Sequence, residues 1–165
     1  MKKKGKMNQK PKQLSNSFST GGGGVNFETR VQTAFVALML TGGFAPCLPT
    51  WTIKKIKLQG KYAGYETDDL IVFVESADGV KRGKLFGQVK HTIKITEGDK
   101  LFGEVIQAAW RDFKNTGLFT KGSDIIALIT GPLSATDTND VRTLLERARH
   151  SEDAADFMKK VNLAN

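Results

Sequence analysis

The chain has 165 residues, 39% of them apolar, a formal net charge of +8 and a single cysteine. That length suits one domain with its own core, and no apolar run approaches the roughly 20 residues that a membrane-spanning helix needs. A secretory signal, an internal disulfide and a multi-cysteine metal centre are all excluded, so a cytoplasmic protein without a membrane partner is expected.

The charge is unevenly placed. Residues 1–12 (MKKKGKMNQKPK) hold six of the 25 basic residues and no acid, which leaves 19 basic against 17 acidic residues in the remainder. Such a tail serves equally as a loose phosphate-binding arm or as a disordered solubilising leader. Residues 1–24 are lysine-rich and then glycine-rich, a composition that cannot bury a core, and the four glycines read as a hinge because no Gly-Lys-Ser/Thr follows them. Residues 25–165 are therefore expected to form the folded domain.

From Asn26, taken as a helix cap, NFETRVQTAFVALML carries Phe27, Val31, Ala34, Phe35 and Leu38 at helical spacing and stops at Gly42 and Gly43. Cys47, between Pro46 and Leu48, reads as small apolar filler. The segment TWTIKKIKL (50–58) alternates as an outer strand with a slip at Lys54 and Lys55, which indicates a bulge. DLIVFVES (69–76) and GKLFGQVKHTIKI (83–95) read as a hairpin about a turn at Asp78 and Gly79. LFGEVIQAAWRDFKN (101–115) places Leu101, Val105, Ala108, Ala109 and Phe113 on one helical face. DIIALITGPL (124–133) is a continuous apolar run, the pattern of a central strand covered on both faces. The last segment reads as one or two helices with polar starts near Thr136 and Ser151. The order is α-β-β-β-α-β-α.

The hairpin carries the chemistry. With its turn at Asp78 and Gly79, counting outward from Ala77 opposite Val80 pairs Asp69 with Gln88, and a register two residues away pairs Asp69 with Lys90. In both, Asp69, Gln88 and Lys90 share one face, because a strand repeats every two residues. An acid, an amide and an ammonium within the cross-strand spacing of about 5 Å suit phosphodiester hydrolysis. Asp69 can hold Mg²⁺ (or Mn²⁺), Gln88 can act as a neutral ligand or orient water, and Lys90 can steer that water and offset phosphoryl charge. Glu28, at the edge of the first helix's apolar stripe, supplies a second anion. Asp68 is a supporting neighbour of Asp69.

The ordered set GGGGVNFETRVQTAF, ETDDLIVFV, GQVKHTI, a helix with AAWRDF and the strand DIIALITGPLS resembles the Mrr-like double-stranded DNA nuclease domain of bacterial antiphage effectors. These accompany cyclic-oligonucleotide (CBASS) signalling or are fused to STAND ATPases, and belong to the PD-(D/E)XK restriction-endonuclease-like superfamily. The resemblance covers about residues 21–160. It implies an α/β fold with an αβββαβ core, a mixed central sheet flanked by helices, and additional C-terminal helices. It further implies metal binding at Asp69, Gln88, the Val89 carbonyl and Glu28, with Lys90 as the motif lysine. Gln88 departs from the acid that is commoner at its position. It also implies control by self-association through a sensor or ATPase outside this chain. The ending FMKKVNLAN, with no Gly or Pro stop, is read as that of a fragment of a larger effector.

Two other readings compete. A catalytically silent nucleic-acid-binding domain would track phosphates with lysines such as Lys54, Lys55 and Lys84, which the nuclease reading also assigns to DNA. An assembly scaffold would use only its helices. His91 is expected to point away from Lys90 and His150 to end a helix, so neither supports a histidine-metal nuclease. Trp51 and Trp110 are read as core residues rather than base-stacking platforms.

Overall fold

The computed structural model describes residues 22–162. In chain order these form α1 (Gly22–Leu40), β1 (Thr52–Leu58), a 3₁₀ turn (Gly60–Ala63), β2 (Leu70–Glu75) and β3 (Arg82–Lys90). α2 (Lys100–Lys114), β4 (Ile125–Thr130), α3 (Ala135–Arg149) and α4 (Ala154–Asn162) follow. The strands make one mixed sheet in the order β1-β2-β3-β4, antiparallel except for the parallel pairing of β3 with β4. The expected α/β architecture and the αβββαβ order are both present.

Alternation along β2 separates two apolar layers. Leu70, Val72 and Val74 face α1 and pack with Phe35, Ile53 and Leu85, while Ile71 faces the other way and packs with Phe86, Tyr65 and Phe119. The turn gives the expected register: Gly79 has φ 72°, Ser76 N donates to Lys81 O at 2.9 Å, and Leu70 lies opposite Gly87. The bulge in β1 also lies where the lysine pair breaks the alternation, between Ile53 and Lys55.

Five expectations are corrected. Residues 1–21 of the leader lie outside the described residues, but residues 22–24 are helical. The glycines are no hinge there and Asn26 is inside α1 rather than its cap, because packing of Val31, Phe35 and Leu38 outweighs the poor helix propensity of Gly. β4 touches apolar clusters on both faces but is an edge strand, not a central one. Cys47 is exposed, with φ 66°, rather than core filler. Trp51 packs against the core, but Trp110 is 54% exposed and stacks on Phe113.

α3 and α4 pack on each other, and neither contains a buried residue. Among the described residues no helix is long and apolar enough to cross a membrane.

Candidate active site

β3 runs three residues beyond the start of β2. Gly87 is the last β3 residue opposite β2, so Gln88, Val89 and Lys90 pair only with β4 and the sheet opens between β2 and β3. Asp69, the residue before β2, fills this opening. Its Oδ2 accepts hydrogen bonds from Gln88 Nε2, from Val89 N at 2.7 Å and from Lys90 Nζ at 3.3 Å. The Val89 amide would otherwise lack a strand partner, and a carboxylate that replaces one forms a charge-assisted bond. Asp69, Gln88 and Lys90 thus meet as the register requires.

Glu28 reaches the same group from α1. Gln32, one turn further along, donates through Nε2 to Glu28 Oε1 at 2.8 Å and to Asp69 O at 3.1 Å. Burial raises the proton affinity of the Glu28 carboxyl, and the negative charges of Asp69 and Asp68 raise it further. The Gln32 hydrogen bond and the Lys90 charge oppose them. Asp68 is raised by burial first and then by Asp69, against Lys61 and Lys90. The three acids are close enough to repel one another, and Lys90 acts on all three.

Two hollows flank the group. On the α2 side a cleft of about 390 Å³ is lined by Asp68, Gln88 and Lys90 and walled by Val105, Gln107 and Arg111. On the α1 side a hollow of about 430 Å³ is lined by Glu28, Val89, Lys90 and His91. Lys90 borders both. His91 is thus turned from the α2 cleft, against the ring edge of Phe27, and His150 lies 3.5 Å from Glu146.

The lysines assigned to DNA lie elsewhere. Lys84 is four residues along β3 from Gln88, about 13 Å at strand spacing. It is held by Asp124 at 3.1 Å and by the carbonyl of Leu118. Lys54 and Lys55 are exposed at the β1 bulge, with Lys55 over the Phe73 ring. The structure does not bring these three to the Asp69 group. Lys61 and Arg111 are the cations that line its cleft together with Lys90.

Sequence reasoning missed Gln32 and Asp112. Both had a signal: Gln32 follows Glu28 at helical spacing, and Asp112 continues the stripe of Val105 and Ala108. Asp112 is buried, and its carboxylate accepts from Glu66 N and Thr67 N.

Comparison of the chain with protein-family models, with curated proteins and with solved structures finds no match. What stands is an α/β fold with a four-stranded mixed sheet and this polar group at its opening.

Proposed function

We propose that the chain is a divalent-metal-dependent endonuclease of the PD-(D/E)XK type that hydrolyses double-stranded DNA, and that it is the effector domain of an antiphage defence system. The observation that carries this reading is the grip of Gln88, Val89 and Lys90 on Asp69 where the sheet opens, with Glu28 coupled to it by charge.

The donors present fit Mg²⁺ or Mn²⁺. All three hydrogen bonds to Asp69 fall on Oδ2, so among the described residues Oδ1 has no donor. Gln88 gives its nitrogen to Asp69, which turns its amide oxygen elsewhere. The Val89 carbonyl lies on the same strand edge as its N–H, beside the end of β2. Carboxylates whose burial and mutual repulsion raise their proton affinity are stabilised by a cation among them. Among the described residues no cluster of three or more acidic, histidine or cysteine side chains is placed to hold a metal. Two carboxylates, Asp69 and Glu28, with the neutral oxygens of Gln88 and Val89, would hold the ion weakly, as suits magnesium that keeps water and a substrate phosphate.

The bound cation would supply Lewis-acid polarisation of the scissile phosphate. Asp69 fixes the Lys90 ammonium at the border of both hollows, where it offsets charge developing on the phosphoryl oxygens or orients the attacking water. Glu28 lines the α1-side hollow together with Lys90, and as a ligand of the cation it would help to place that water. Lys61 and Arg111 offer the phosphate backbone cationic contacts along the cleft.

A second reading has an observation of its own. Three donors on one oxygen satisfy Asp69 internally, as a structural ion pair at a strand end would, and a silent binding domain or scaffold needs no more. Supercoiled plasmid incubated with the protein and Mg²⁺, with and without EDTA and beside Lys90→Ala, separates the two. EDTA-sensitive cutting absent from the variant supports the nuclease. No metal-dependent cutting under any assembly condition supports the silent domain.

A further inference from the structure

Asp112 is 1% exposed, and among the described residues no Lys, Arg or His lies within 4.0 Å of its carboxylate. It stands on the buried stripe of α2, where an apolar side chain would fill the space without the penalty of desolvating a charge. Its two oxygens are instead taken by consecutive amides, Glu66 N at 3.0 Å and Thr67 N at 2.6 Å. Two bonds to neighbouring peptides fix the direction of the chain as well as its position.

That chain leads directly into Asp68 and Asp69. Neither belongs to β2, which begins at Leu70, so no sheet ladder sets where they stand. Besides the three bonds to the Asp69 carboxylate, the restraints on the segment's main chain are few. Gly60 N donates to Asp68 O at 2.7 Å, Gln32 reaches Asp69 O, and Asp112 holds Glu66 and Thr67. Of these partners only Asp112 belongs to α2, the helix that walls the cleft. Arg111 and Glu66, 3.6 Å apart, join the same two segments at the surface.

We infer that Asp112 is a positioning residue for the proposed nuclease site: it clamps the segment before Asp68 to α2, and so sets the Asp69 carboxylate against Gln88, Val89 and Lys90. The inference rests on the reading of that site as a nuclease for its purpose, but its geometry is tested without DNA.

The Val89 amide reports the position of Asp69, because its proton lies on that carboxylate. In ¹H–¹⁵N spectra, Asp112→Asn and Asp112→Ala should move the Val89 amide upfield and speed its exchange by about tenfold or more, with Val72 and Leu85 unchanged. A variant that only lowers the melting temperature, with Val89 keeping its wild-type shift and exchange rate, overturns the inference. If neither variant folds, exchange in the wild-type protein decides. Thr67 and Val89 should open together, below the global unfolding free energy, and Val89 remaining protected while Thr67 opens overturns the clamp. A Val89 amide that responds to Asp112 in a protein that never cuts DNA upholds the clamp and removes the nuclease. Metal-dependent cutting with an unresponsive Val89 does the reverse.

Discussion

Asp69 and Lys90 are tied to each other yet should fail differently when removed. If the proposed nuclease reading holds, Lys90→Ala takes away a charge that acts on the transition state, so cleavage should fall by about 10²–10³-fold or more, while DNA binding should lose one phosphate contact among several. Asp69→Ala should also abolish cutting, but with DNA binding retained or tightened, since an anion facing phosphate is gone. Plasmid cleavage beside a binding isotherm checks both, and undiminished cutting in both variants would place the chemistry elsewhere. Glu28 supplies a pH-dependent counterpart. Its folded proton affinity and that of Asp68 are raised, so the folded state binds more protons than the unfolded chain between the ordinary and the raised values. Their ionised forms therefore lower stability, fully so above the raised values, and the loss is relieved as pH falls towards the ordinary carboxylate range. Glu28→Gln keeps an acceptor for Gln32 and should raise the melting temperature at neutral pH without divalent ions, while reducing the further rise that Mn²⁺ gives the parent. A variant that melts lower and still gains the full Mn²⁺ shift would contradict this account of Glu28.

Among the elements, the hairpin was the most legible. Asp78 and Gly79 fix one turn, and period-two alternation then carries the register out to Asp69 and Gln88, where a slip of one residue would have put the acid on the wrong face. Less legible were features that depend on what lies beyond the segment itself. The apolar run of β4 shows that both faces are covered but not how many neighbours the strand has. A lysine in a strand reads the same whether its partner is a phosphate or, like that of Lys84, an aspartate 40 residues away. The α2 stripe marks Asp112 as buried, but its partners are backbone amides, which no side-chain pattern reveals. The hairpin also offers a separable test of fold against site. A Cβ at Gly83 would lie 2.6 Å from Ser123 O, in backbone that cannot swing aside, far along β3 from Gln88. Gly83→Ala should therefore destabilise the domain by about 1–3 kcal/mol, roughly 2–4 °C of melting temperature for each, and leave divalent-ion stabilisation of the folded protein intact. A variant that melts like the parent would show that the β3–β4 junction yields more easily than this contact implies.

For the whole molecule, the charge balance bears on how such an activity is restrained. Outside residues 1–12 the chain carries nearly as many acids as bases, so the domain itself has little long-range pull on DNA. As a nuclease, a single Asp69–Lys90 group would face one scissile phosphate at a time, and breaking a duplex would need two groups on opposite strands. On the proposed reading, weak attraction and a single site together would make the isolated domain a poor cutter, and assembly by a sensor or ATPase region would correct both by raising the local concentration of a second site. On closed circular plasmid the isolated protein should accumulate nicked circles slowly, with linear DNA appearing only after them. Fusion to a dimerising coiled coil should give linear DNA earlier and at lower protein concentration, and Lys90→Ala in both copies should abolish it. Gel analysis of nicked against linear product over time distinguishes these courses. A monomer at nanomolar concentration that yields linear DNA without a nicked intermediate would show that one domain completes both cuts, and the requirement for assembly would be withdrawn.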